Sequence, residues 1–111
     1  MIIKDLIDQH EFTVVSGEKL IDREIKGLYC CDLLSWVMSH GKQHDAWITV
    51  QTHTNIVAVA SLLDLSCIII PESIAVEQET VEKAMEENVI ILSTPLDSYK
   101  IFCKMYELGL R

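Results

Sequence analysis

Basic residues are scarce: nine Lys and Arg stand against 17 Asp and Glu, a formal net charge of −8. Phosphate-backbone binding rests on clustered cations, and these nine are scattered, so the composition argues against a nucleic-acid partner. Long apolar runs are also missing. No uninterrupted stretch approaches the ~20 residues that span a bilayer, so no membrane segment is expected. The start, Met1-Ile2-Ile3-Lys4-Asp5, lacks the basic region and long apolar stretch of a signal peptide, which makes a cytoplasmic location the simplest expectation.

Several chemical motifs are absent as well. Cys30, Cys31, Cys67 and Cys103 contain no Cys-x-x-Cys pair, and neighbours such as Cys30 and Cys31 face opposite ways on a strand. They predict free thiols in a reducing compartment, not disulfides or a metal site. His40 and His44 flank Gly41 with no third ligand at metal-site spacing. No Gly-x-x-x-x-Gly-Lys-Ser/Thr phosphate loop and no Gly-x-Ser-x-Gly elbow occurs, so neither metal nor cofactor is expected.

What is present reads as a single domain over residues 1–111. Residues 4–9 form a short amphipathic helix with Ile3, Leu6 and Ile7 on one side, 12–15 an alternating strand, and 22–25 an extended segment. Residues 27–30 read as a strand. Asp32 is placed to cap a helix over 32–40, whose polar stripe is Asp32, Ser35 and Ser39 and whose expected stop is Gly41. A strand is expected over 47–50. The helix over 56–63 is apolar nearly all round and must be covered on both sides, by its own domain or by a partner chain.

Residues 67–70 are a continuous β-branched strand ended by Pro71. The helix over 79–87 should turn Val81, Ala84 and Met85 inward and its glutamates to solvent, with Asn88 closing it and 89–92 forming another buried strand. Ser98 can cap a last helix with Ile101, Phe102, Met105 and Leu108 on one face. Strand and helix alternate from Gly27 onward. This favours a three-layer α/β/α fold around a mainly parallel sheet of about five strands, with an antiparallel edge from the first strands.

The most informative stretch runs from Asp45 to Ala60. A buried strand enters a polar turn, Gln51-Thr52-His53-Thr54-Asn55, and then an apolar helix. Open α/β sheets gather ligands at the carboxyl ends of their strands, and a helix start offers free N–H groups to an anion. Thr49, Gln51, Thr52, His53, Thr54 and Asn55, with Asp32, are therefore the candidate ligand-binding residues. The plainer reading is that Thr52 or Thr54 caps the helix while Gln51, His53 and Asn55 satisfy loop backbone. Trp36 and Trp47 sit in apolar segments and read as core or interface.

From Gly27 onward the chain resembles a DRTGG domain. The resemblance rests on the run Gly27-Leu28-Tyr29-Cys30-Cys31-Asp32-Leu33-Leu34-Ser35-Trp36-Val37-Met38 and on Ala46 through Ala60, above all the Gln-Thr-His-x-Asn turn. Such modules accompany cystathionine-β-synthase-type domains in regulated pyrophosphatases, occur in some phosphotransacetylases, and also stand alone. The literal Asp-Arg-Thr-Gly-Gly string is absent, since Asp22-Arg23 is followed by Glu24-Ile25-Lys26-Gly27, and nothing credited to it transfers. The family also resembles the N-terminal domain of HPr kinase/phosphorylase, which implies an α/β fold. The kinase chemistry does not follow, because the phosphate loop is missing.

These readings together imply a non-catalytic regulatory or interaction module. It would work as a homodimer through the 56–63 helix or the Trp36 and Val37 surface, sense a small anionic or nucleotide-like ligand, and serve an unidentified larger enzyme. The rival reading is a small enzyme using His53 with Asp32 or a cysteine.

Overall fold

Alternation along the strands divides the apolar side chains between two cores, one on each face of a single sheet. The computed structural model describes residues 1–111. Its elements are α1 (Ile3–Ile7), β1 (Thr13–Ser16), a 3₁₀ turn (Glu18–Leu20), β2 (Gly27–Cys30), α2 (Leu34–His40), β3 (Asp45–Ile48), α3 (Asn55–Leu63), β4 (Cys67–Ile70), α4 (Gln78–Glu86), β5 (Ile91–Ser93) and α5 (Ser98–Glu107). The strand order is β1-β5-β4-β3-β2. Strands β2 to β5 pair in parallel, and β1 joins β5 antiparallel at one edge. The expected three-layer architecture is the one the chain adopts.

Each step from β2 to β5 moves one place along the sheet in the same direction, so crossovers of one hand set α2, α3 and α4 on a common face. There Val37, Ile56, Val57, Ala60 and Ala84 pack on Trp47, Ile68, Ile70 and Ile91. On the other face Ile3, Leu6, Ile101 and Met105, from α1 and α5, cover Ala46, Ile48, Cys67, Ile69 and Leu92. Burying each large aliphatic side chain contributes about 1.5–3 kcal/mol. A strand covered on both faces therefore needs the uninterrupted Cys67-Ile68-Ile69-Ile70 run.

Several expectations are corrected in detail. The third strand begins at Asp45, not Trp47, and Val50 lies beyond it, exposed. Asp32 does not cap α2: the N-cap is Leu33, with no side-chain cap bond. Asp97, not Ser98, caps α5, its carboxylate accepting from the Lys100 N–H at 2.9 Å. Met85 is exposed because the inner face of α4 is taken by Thr80 and Ala84. Phe102 also lies on the outer side of α5. Val37 is fully buried, which removes it from any surface, and α3 is largely covered by its own chain, leaving Leu62 as its one large apolar residue exposed. The extended segment 22–25 contributes only an isolated bridge between Glu24 and Ile2.

The segment standing where the Asp-Arg-Thr-Gly-Gly string would fall is a structural tie. Arg23 donates to the backbone carbonyls of Ser66 and Asn88, and the Ser66 hydroxyl donates to the Glu24 carbonyl. This fastens the β2 approach to the amino ends of β4 and β5.

Candidate functional site

At the carboxyl ends of β2 and β3 the chain turns twice, and Asp32 joins the two turns. One carboxylate oxygen, Oδ1, accepts from the Thr49 hydroxyl and from the Val50 N–H, both at 2.9 Å. Thr49 is buried, and its hydroxyl in turn accepts from the Gln51 N–H at 3.2 Å. The Gln51 amide closes the loop by donating to the Asp32 carbonyl at 3.2 Å. Beneath this network the Trp47 indole N–H donates to the Cys31 carbonyl at 2.8 Å, which satisfies the polar atom of a fully buried ring. An aspartate at the end of β2 is thus used to fix the exit of β3.

Farther along the turn the partners change. The Thr80 hydroxyl donates to the Thr52 carbonyl at 2.6 Å, and the Thr52 hydroxyl donates to Glu77 Oε2 at 3.2 Å. Glu77 and Thr80 were not among the candidate residues. Their one sequence signal is a threonine on the inner face of a helix otherwise rich in glutamate. At the start of α3 Thr54 occupies the N-cap position, but neither its hydroxyl nor that of Thr52 makes a cap bond. The His53 ring nitrogen Nδ1 accepts a long 3.4 Å bond from the Asn55 N–H instead, and the His53 and Thr54 carbonyls take the N–H groups of Ile56 and Val57.

The backbone N–H groups of Thr52, His53 and Thr54 make no hydrogen bond within the chain. Three successive free donors at the amino end of a nine-residue helix form a setting that favours an anion. Gln51, His53 and Asn55 are exposed, whereas Thr52 and Thr54 are half-buried. The surface cavities, of about 210 to about 670 Å³, lie elsewhere, so the turn is an open rim flanked by the Asp32 and Glu77 carboxylates.

The residues expected from sequence therefore fall into three groups: Asp32, Thr49 and Gln51 in one network, Thr52 with the start of α4, and His53 with Thr54 and Asn55. His53 bonds neither Asp32 nor a cysteine. All four cysteines are free. Cys30 contacts the Ser98 hydroxyl and Cys31 the Leu33 carbonyl. Burial pushes the Cys67 thiol up to about 12, against a smaller opposing effect of Arg23, so it stays protonated and serves as core.

Fold and rim define a small three-layer α/β domain with a polar turn where parallel-sheet domains gather ligands. More narrowly, the chain belongs to the DRTGG domain family, whose model matches residues 5–108. No curated protein matches it. Among solved structures it is similar to the CBS and DRTGG domains of the regulatory region of Clostridium perfringens pyrophosphatase, complexed with the activator diadenosine tetraphosphate. The TM-score is 0.74 at 18% identity, over 91% of this chain and 44% of that one. The likeness is one of fold, and the chain spans less than half of that neighbour.

Proposed function

We propose that the chain is a regulatory and interaction module of the cytosol rather than a catalyst, working as a homodimer and sensing a small anionic or nucleotide-like ligand at the rim from Thr49 to Asn55. The observation that carries this reading is the run of free N–H groups at Thr52, His53 and Thr54, held in place by the Asp32 and Thr80 bonds on either side. A rim of backbone donors binds without transforming: the Thr49 hydroxyl held by Asp32 is buried away from any ligand, and the Thr54 hydroxyl meets the His53 ring only at 3.4 Å. Support also comes from the neighbour, in which a DRTGG domain lies in a regulatory region complexed with a nucleotide activator. A larger enzyme as partner completes the reading. No helix is long and apolar enough to cross a membrane.

The test is a thermal-shift and calorimetric titration of the purified chain with diadenosine tetraphosphate, ATP, AMP and inorganic pyrophosphate. A ligand at about 100 times its Kd stabilises the fold by about 2.7 kcal/mol, readily seen as a raised melting temperature. Binding that is lost when rim residues are replaced supports the reading. Binding by none of these anions, or turnover of any of them, overturns it.

A further inference from the structure

We infer that the β2 edge is where two copies of this chain join, by antiparallel pairing of β2 with the same strand of the other copy about a two-fold axis at Tyr29. The inference names the contact within the homodimer proposed above and rests on that reading.

The sheet has two edges, and they are built differently. β1 carries a bulge between Val14 and Ser16 and runs straight into the 3₁₀ turn. A bulge twists an edge away from further pairing. β2 is regular, with four successive partners from Gly27↔Asp45 to Cys30↔Ile48, and it contains no proline. In a parallel pair alternate residues turn their backbone to the neighbour. The Cys31 N–H donating to the Ile48 carbonyl sets the phase: Gly27, Tyr29 and Cys31 face β3, and the N–H and C=O groups of Leu28 and Cys30 face outward.

An axis at Tyr29 sets Leu28 opposite Cys30 of the other copy, twice, so every outward group of β2 is bonded. Extended past both ends of β2, the same register brings Lys26, whose own N–H is turned inward to the His44 carbonyl at 2.9 Å, near Asp32 of the other copy, again twice, so the match is one of side-chain charge and not of backbone pairing. Lys26 is exposed, with only a 3.8 Å contact to Glu24, and Asp32 engages its own chain through Oδ1, leaving Oδ2 open. Axes at Leu28 or Cys30 would instead set Lys26 against Cys30, or Leu28 against Asp32, and lose this charge match.

Apolar side chains flank the edge on both sides. Leu33 (62% exposed) is the N-cap of α2 and Trp36 (51%) lies on that helix, with Phe102 (42%) and Tyr106 (59%) on α5. Grooves of about 480 and about 410 Å³ open beside Gly27 and Leu28, one walled by Tyr29 and His40 and the other by Phe102 and Tyr106. Trp36 stacks on His40 with ring centroids 4.0 Å apart. Pairing of the edges would bring these apolar residues of the two copies together.

Three measurements on the full chain test the contact: sedimentation equilibrium, hydrogen exchange of the Leu28 and Cys30 amides across a concentration series, and oxidation of a Tyr29→Cys variant. The expected results are a dimer, exchange at both amides that slows as the dimer fills, and a symmetric disulfide-linked dimer joined at position 29. Cys30→Pro removes one outward donor from each copy at an exposed position, and should raise the dimer Kd about tenfold or more with the far-UV spectrum unchanged. A dimer whose Leu28 and Cys30 amides exchange at the monomer rate, with no link at position 29, overturns the β2 contact and leaves the homodimer standing. A chain that stays monomeric at its highest soluble concentration overturns both. Should Cys30→Pro fail to fold, exchange and cross-linking decide between these outcomes.

Discussion

Asp32 Oδ1 holds the Thr49 hydroxyl and the Val50 N–H at the same distance, 2.9 Å, and so joins the carboxyl ends of two neighbouring strands. Thr49 is only 1% exposed, so its hydroxyl has few other partners. Removing an acceptor from a buried donor costs more than the bond itself contributed. Asp32→Ala is expected to lower stability by about 1–3 kcal/mol, and Asp32→Asn by less, because the amide oxygen still accepts. Urea denaturation of the three proteins checks the order. Equal stability of wild type and Asp32→Ala would show that the network does not fix the β3 exit.

Thr80 and Thr52 separate a buried bond from an exposed one. Thr80 is fully buried and donates to the Thr52 carbonyl, so Thr80→Val, nearly isosteric, should cost about 1–3 kcal/mol. Thr52→Ala removes only the contact with exposed Glu77 and should stay within about 0.5 kcal/mol. The two denaturation midpoints make the comparison.

His53 and Asn55 should matter to binding and not to folding. The His53 cap bond is long and both side chains are exposed, so alanine at either position should change stability by no more than about 0.5 kcal/mol. Calorimetry with whichever anion the wild type binds should show a weakened affinity. Unchanged affinity in both variants would remove these side chains from the binding rim.

Cys67 gives a pH prediction. Burial raises its thiol from 9.0 to about 12, so between those values the folded chain keeps a proton that the unfolded chain releases. The associated stability is fully present below about pH 9 and is lost as pH climbs from there toward 12. Cys67→Ala should show a flatter alkaline stability profile than wild type. A thiol reagent at neutral pH should label exposed Cys30 well before Cys67.

Gly17 is held at φ +85°, and a Cβ there would lie 2.7 Å from Ile90 Cγ1. Left-handed backbone strain and a core clash act together, so Gly17→Ala should cost more than about 1 kcal/mol. A melting temperature equal to that of wild type would refute the clash.

Much of the fold was legible because periodicity reports burial. The Cys67-Ile68-Ile69-Ile70 strand and the acidic α4 follow in kind from the sequence, since a continuous β-branched run needs cover on both faces and a glutamate stripe needs water. Boundaries and inner faces were less legible. Met85 and Phe102 are apolar and at helical spacing, yet they point outward, because the space beneath each helix is already filled by Ala84 or by Ile101 and Met105. Capping misled in three places, since a residue type suited to a cap is equally suited to a long-range bond: Asp32 reaches β3, Thr52 reaches α4, and Ser98 yields to Asp97.

The sequence by itself determined the layered α/β class, the segment carrying the polar turn, and the absence of a phosphate loop, because hydrophobic pattern and motif spacing are properties of neighbours along the chain. Only the tertiary structure decided that β2 ends one edge of the sheet and a bulged β1 the other, and that Asp32, Thr49 and Gln51 form one network while Glu77 and Thr80 brace the turn. The bonds of the turn join residues up to 28 positions apart, such as Thr52 and Thr80, and the β1–β5 pairing joins residues still farther apart. Local propensity carries no information about which distant partner a strand exit or hydroxyl will meet, because that is set by the order in which strands stack to bury both faces of the sheet.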